Sequence, residues 1–231
     1  MNINVSSFAS KSFENQQRAQ EKVLLNIGFI SSEIHLFNPE KLNKNFFYNQ
    51  PNASELNKFG WYSFKPYFLE LVLNNLKEGD ILIFLDVNDK PKFGIKEYVR
   101  NQFSSDKELD ILCCSTNYPN FKFMSNFHKN NLSLKLLLDS FLFCQPETGV
   151  LAIRNSLRSK SIMRIWYELT LINSYQLNKK IFNKNPSRPC QETMFIISRI
   201  YKTIKFESWF KYKLTGKGLR SFIEFESLRE N

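Results

Sequence analysis

The sequence predicts an α/β protein, a three-layer α/β/α sandwich around a mostly parallel central sheet. Three observations carry that expectation. Short apolar segments alternate with stretches whose apolar residues recur at helical spacing, as in a chain that repeatedly crosses one sheet. One run, Asp80-Ile-Leu-Ile-Phe-Leu-Asp86, is continuously apolar and bounded by acids, as a strand covered on both faces must be. The 231 residues, 42% of them hydrophobic, suffice for one core and fit one domain with a small appendage.

The elements follow in order. Asn4 to Phe8 reads as an opening strand. Glu14 to Ile27 carries Ala19, Val23, Leu24 and Ile27 on an amphipathic helix, with Gly28 as its stop. Glu33 to Phe37 is a second strand closed by Asn38-Pro39, and Lys41 to Asn57 is an Asn-rich loop with a short helix. Pro66 opens a helix at its first position, where a missing N–H costs nothing. Tyr67, Phe68, Leu71, Val72 and Leu76 then mark its stripe, and Gly79 ends it before the apolar run. A helix over Ile95 to Phe103 and a strand over Leu109 to Cys114 follow, then a long polar and aromatic loop over Asn117 to Asn131. Leu132 to Phe141 is helical, and Gly149 to Arg154 is a further strand. Ser161 to Tyr175 is a helix by the stripe Ile162, Ile165, Trp166, Leu169 and Ile172. Gln191 to Ile200 is another, followed by a strand near Thr203 to Phe206. Residues 1–210 are expected as the domain, and 211–231, with the Gly-Lys-Gly cluster, as a basic C-terminal tail or extension.

Composition narrows the function. Lys and Arg number 32 against 22 Asp and Glu, a formal net charge of +10. That excess suits a nucleic-acid partner, a phosphate-handling protein, or one that works beside an anionic membrane. Met1-Asn-Ile-Asn-Val5 lacks the charged and long apolar regions of a signal peptide, and no run is apolar enough to span a bilayer. A cytoplasmic protein with reduced thiols is therefore expected. The four cysteines have no C-x-x-C pairing and only two histidines accompany them, which argues against a zinc site and a disulfide scaffold. Neither G-x-G-x-x-G nor G-x-x-x-x-G-K-[ST] occurs, which argues against a classical dinucleotide fold and a P-loop enzyme.

Ligands of open α/β sheets bind beyond the carboxyl ends of the strands, and there stands Leu85-Asp86-Val87-Asn88-Asp89. Asp86, Asn88 and Asp89 form a cluster of hard oxygen donors suited to Mn²⁺ or Mg²⁺, with phosphate oxygens and water completing the shell. The same residues also suit an Asx-rich turn that merely ends a strand.

The stretch Gly60-Trp-Tyr-Ser-Phe-Lys65-Pro66-Tyr, followed by Lys77-Glu-Gly79-Asp80-Ile-Leu-Ile-Phe-Leu-Asp86, resembles bacterial surface-polysaccharide glycosyltransferases. Their pattern reads G-Y-W-x-W-K-P, a helix, then G-D-x-L-x-Y-x-D-x-G. Gly60, Lys65, Pro66, Gly79, Asp80 and Asp86 match in order, with Trp61, Tyr62 and Phe64 as aromatic substitutions. Gln145-Pro-Glu147-Thr-Gly149 and Arg188-Pro-Cys190-Gln191 echo the group's Q-x-E-A-G and R-H-D-Q segments. The sequence departs from the pattern at Asn88, where Gly is usual, and at Pro189 and Cys190, where His and Asp are usual.

The resemblance implies a GT-A-like fold, a nucleotide-diphospho-sugar donor, a glycan or lipid-linked acceptor, and a divalent metal, Mn²⁺ or Mg²⁺. Asp86, with Asn88 or Asp89, would hold the metal, and Lys65 would offer a positive charge to phosphate near a helix N-terminus. Trp61 and Tyr62 would stack on a base or sugar, although aromatics before a helix also serve as packing staples. Ser7 and Phe8, ending the first strand, would meet the nucleoside. Glu147 would act as a base or orient the acceptor hydroxyl, with Gln191 beside it, although Gln191 and Glu192 also read as a helix cap pair. The competing expectations are a basic nucleic-acid-binding α/β domain and a catalytically degenerate relative acting as a scaffold. The dispersed basic residues and the acidic strand end speak against nucleic acid as the partner, and the charge would suit peripheral contact with an anionic membrane.

Overall fold

In the computed structural model, the described residues are 1–42, 44–49, 62–120, 124, 129, 130, 132–176 and 189–225. Their elements begin with β1 (Ile3–Phe8), α1 (Glu14–Asn26), β2 (Ile34–Phe37), α2 (Lys44–Asn49) and α3 (Phe64–Asn75). Next come β3 (Ile81–Leu85), β4 (Asp89–Pro91), α4 (Ile95–Ser105), β5 (Ile111–Pro119), α5 (Leu134–Leu142) and β6 (Cys144–Arg154). The chain continues through α6 (Leu157–Gln176), α7 (Pro189–Ile200), β7 (Ile204–Glu207), α8 (Trp209–Thr215) and β8 (Ile223–Phe225).

Six strands form the central sheet in the order β2-β1-β3-β6-β5-β7, and β4 pairs with β8 in a separate ribbon. β1 runs parallel to β2 and β3, and β5 runs parallel to β7. β6 alone is antiparallel to both of its neighbours, so the sheet is mostly parallel, as expected.

The period-two geometry of β3 divides the core. Ile81, Ile83 and Leu85 face a layer with Leu24 of α1 and Ile95, Val99 and Phe103 of α4. Leu82 and Phe84 face the other layer, with Phe68 and Val72 of α3, Trp166 of α6 and Met194 of α7. Every residue of β3 is buried, which is why its sequence is continuously apolar. No described helix is long and apolar enough to cross a membrane.

Several local expectations change. Pro66 is the third residue of α3 rather than the first, still among the positions whose N–H has no intrahelical acceptor. β5 runs on to Pro119, into the segment expected as loop, and β6 begins at Cys144, so Glu147 lies inside a strand rather than before one. On α1 the buried residues are Gln17, Gln20 and Leu24, while Ala19 is exposed. Beyond residue 210 the chain is a folded extension as far as Phe225. Leu219 and Ile223 join the core against α4, and β8 pairs with β4.

Candidate active site

The carboxyl ends of β1 and β3 open on a cleft of about 470 Å³ lined by Phe8, Tyr62, Phe64, Lys65, Asp86 and Asn88 among others. Parallel pairing of β1 with β3 brings Phe8 and Asp86 to the same edge. α3 then places Lys65 in its first turn above that edge.

Lys65 is the centre of the arrangement. Its side chain is 5% exposed, and Nζ lies 2.7 Å from one carboxylate oxygen of Asp86, whose side chain is 45% exposed. The other Asp86 oxygen is 3.0 Å away, and the main-chain oxygen of Thr148 is at 3.4 Å. The rings of Phe84 and Tyr62 lie 5.2 and 5.4 Å from the ammonium. Burial works to lower the Lys65 pKa, but the Asp86 carboxylate outweighs it and the group is raised, so it stays charged. Tyr62 holds the left-handed backbone conformation (φ 72°), which costs a bulky residue about 1–2 kcal/mol. Such strain is concentrated at functional segments.

The segment after β3 is both a turn and a ligand-facing edge. The Asp89 N–H donates to the Asp86 oxygen at 2.9 Å, closing the turn. Gln20 of α1, 2% exposed, donates through Nε2 to the main-chain oxygens of Asp86 (2.8 Å) and Asp89 (2.7 Å). Gln17 similarly bonds the main-chain oxygens of Ser7 (3.3 Å) and Phe37 (3.0 Å). One face of α1 thus ties the ends of β1 and β2 to the acidic turn. The sequence reading missed both glutamines, although they share the helical stripe of Leu24.

The acidic turn fits a hard divalent cation. A Cβ on Gly149 would stand 2.8 Å from Asp86 Oδ2 and 3.3 Å from Asp89 Oδ2, so only glycine leaves room where the carboxylates approach. Asn88 Oδ1 is buried without a hydrogen-bond partner. Two carboxylates and an amide oxygen match Mg²⁺ or Mn²⁺ when phosphate oxygens complete the shell. Among the described residues no cluster of three or more His, Cys, Asp or Glu side chains could hold a metal by itself.

Glu147 and Gln191 form a second buried pair, with Gln191 Nε2 donating to Glu147 Oε1 at 3.2 Å. β6 carries Glu147, and Trp166 of α6 anchors the start of α7 by donating to the Cys190 oxygen at 2.9 Å. Neither Glu147 nor Gln191 lines the cleft of Lys65 and Asp86. Between the two pairs lies Cys190, 3.8 Å from the Thr148 hydroxyl. Burial pushes its thiol up to about 12, against the lowering influence of Lys65, so a neutral group stands here. Ser7 is turned to α1 and does not line the cleft, with Gln17 Nε2 at 3.3 Å from its hydroxyl. Asp89 is buried and does not itself line the cleft. Trp61 lies outside the described residues.

No protein-family model matches the chain, and no curated protein matches it. Solved structures do. The chain is similar to mouse xyloside xylosyltransferase 1 in its apo form, 10% identical over 98% of this chain and 95% of that one, with a TM-score of 0.51. A glycosyltransferase involved in glycosylation of the major capsid of PBCV-1 matches 90% of this chain and 82% of its own at 12% identity and TM-score 0.45. The galactosyltransferase LgtC, in complex with donor and acceptor sugar analogs, matches 88% of this chain and 72% of its own at 9% identity and TM-score 0.47. At 10% identity the likeness to the xylosyltransferase concerns the fold alone, a mixed α/β fold of the GT-A type.

Proposed function

We propose that this chain is a glycosyltransferase that moves a sugar from a nucleotide-diphospho-sugar to a glycan or lipid-linked acceptor in surface-polysaccharide biosynthesis. The observation that carries this reading is the Lys65–Asp86 pair at the floor of an aromatic-rimmed cleft beyond the carboxyl ends of β1 and β3. A cleft of this size, with aromatic rings facing Ser10, Ser12, Lys65, Asp86 and Asn88, suits a nucleotide.

Lys65 supplies a fixed positive charge to the diphosphate and needs no reorganisation as negative charge develops on the leaving group. Phe8 and Tyr62 offer ring faces to the nucleoside. Asp86, Asn88 and Asp89 would hold Mn²⁺ or Mg²⁺, and such an ion supplies further neutralisation of the diphosphate when bound. Glu147, oriented by the amide of Gln191, accepts the acceptor's hydroxyl proton. A second reading, a catalytically degenerate relative acting as a scaffold, draws on the neutral thiol of Cys190 where the resembled group carries Asp.

The test is thermal stabilisation by nucleoside diphosphates and nucleotide sugars, with and without Mn²⁺, in the natural chain and in Asp86→Asn. A rise in Tm that the substitution abolishes supports the reading, and no rise with any nucleotide sugar defeats it. Donor hydrolysis in the presence of acceptor surrogates separates the active enzyme from the scaffold.

A further inference from the structure

The donor cleft leaves one half-buried cation unexplained, Arg199 near the end of α7. Its guanidinium lies 4.0 Å from the ring centre of Phe143 and 5.1 Å from that of Phe195. Nε is buried and has no hydrogen-bond partner. Asp139 is the acid that acts on the group, and it does so without a hydrogen bond, while burial lowers the pKa. Of the five N–H donors of the guanidinium, the Nε–H is the one buried unpaired, and desolvating it costs free energy. An oxyanion removes that cost.

A cleft is present to admit one. About 390 Å³ opens beside Arg199, lined also by Ser115, Ser198, Ser208, Phe143 and Phe206. The Ser208 hydroxyl can donate to an oxyanion, whereas that of Ser198 already donates to the Phe195 main-chain oxygen, and the rings suit a sugar or apolar body attached to the anion. The sheet order puts this cleft on the β5–β7 side of β6 and the Lys65–Asp86 cleft on the β1–β3 side. Glu147 stands on the strand between them. In the β5–β6 ladder Glu147 is opposite Cys114, and the next pair is Pro146 with Ser115, a wall of the second cleft.

We propose that the cleft at Arg199 binds an oxyanion, carboxylate or phosphate, carried by the acceptor substrate. The assignment to the acceptor rests on the glycosyltransferase reading above. The anion site itself does not. Arg199 grips the oxyanion edge-on while Phe143 and Phe195 hold its plane, and the acceptor's body extends along β6 toward Glu147.

The experiment titrates the full chain, without nucleotide, with phenyl phosphate, benzoate and uncharged phenol. It follows the Arg199 Nε–H cross-peak by NMR. A saturable shift with phenyl phosphate or benzoate but not with phenol is expected, and whichever binds tighter identifies phosphate or carboxylate. Arg199→Met should weaken that binding at least tenfold without lowering the Tm, because it removes a half-buried charge whose Nε–H is unpaired. No shift at Arg199, equal binding of phenol, unchanged affinity in Arg199→Met, or shifts confined to residues around Lys65 and Asp86 overturns the proposal. Anion binding at Arg199 in a chain that no nucleotide sugar stabilises would retain the anion site and remove the acceptor from it.

Discussion

Lys65 Nζ reaches both carboxylate oxygens of Asp86, at 2.7 and 3.0 Å, yet the lysine is buried and the aspartate is half open to water. The two substitutions that break this pair are therefore unequal. Asp86→Ala strands a buried ammonium and is expected to cost about 3–5 kcal/mol. Lys65→Met leaves a carboxylate that water can solvate and should cost less, about 1–3 kcal/mol. Urea unfolding of both variants measures the difference, and a larger loss in Lys65→Met would contradict it. Because the Lys65 pKa is raised above its ordinary 10.5, its contribution is complete at neutral pH and is lost only as alkali passes its folded value.

Gly149→Ala should damage nucleotide binding more than folding. Its Cβ would stand 2.8 Å from Asp86 Oδ2, a carboxylate that Lys65 holds in place, so Asp86 must turn away. Overpacking of this kind costs about 1–3 kcal/mol. Calorimetry with a nucleoside diphosphate should show weakened binding in a variant whose circular dichroism is unchanged.

Gln20→Leu removes the donor that serves two main-chain oxygens of the acidic turn. Asp86 O keeps the Asp89 N–H, but Asp89 O loses a short bond, and a loss of about 1–3 kcal/mol is expected. Hydrogen exchange at the Asp89 amide should accelerate, because the turn loses its brace from α1. Unchanged exchange there would show that Gln20 does not hold the turn.

Glu147→Gln should lower turnover by about 10²–10⁴-fold with donor affinity retained. The carboxylate lies outside the donor cleft, so the two effects separate. A parallel fall in donor affinity would assign Glu147 to packing instead.

Acid should weaken the fold through His35. Burial first, and Lys41 second, lower its pKa below the ordinary 6.5, and Nε2 pairs with Asn4 Oδ1 at 3.2 Å. The unfolded chain therefore binds a proton that the folded chain resists, so stability falls as pH drops below about 6.5. Unfolding curves at pH 7 and about pH 5.5 should differ less in His35→Gln than in the natural chain.

The periodicity of the chain already contained the alternation of strands and helices, the fully buried β3 and the acidic turn at its end. These are local properties: apolar spacing follows from which faces an element buries, and a turn follows from nearby Asn and Asp. The Lys65–Asp86 pair was legible only as two candidates 21 positions apart. Their contact depends on how far α3 folds back over the β1–β3 edge. Gln17 and Gln20 were invisible as site residues because amides on a helical stripe ordinarily read as solvated, and only the strand ends beneath α1 explain their burial. Glu147, expected just before a strand, lies inside β6 because β5 and β6 continue to pair beyond the apolar stretch that marked them.

Arg199 shows the same division. The sequence by itself determined an α/β chain with a basic excess and an acidic end to its central strand. Which of its 32 Lys and Arg residues pair, and that Lys65 and Arg199 each come to lie between two rings, depends on the tertiary packing in which β6 runs antiparallel between β3 and β5. That insertion sets two clefts on either side of Glu147. Charge is a property of composition, but burial is a property of packing, and it is burial, of the whole Lys65 side chain and of Arg199 Nε, that makes these two different from the exposed cations around them.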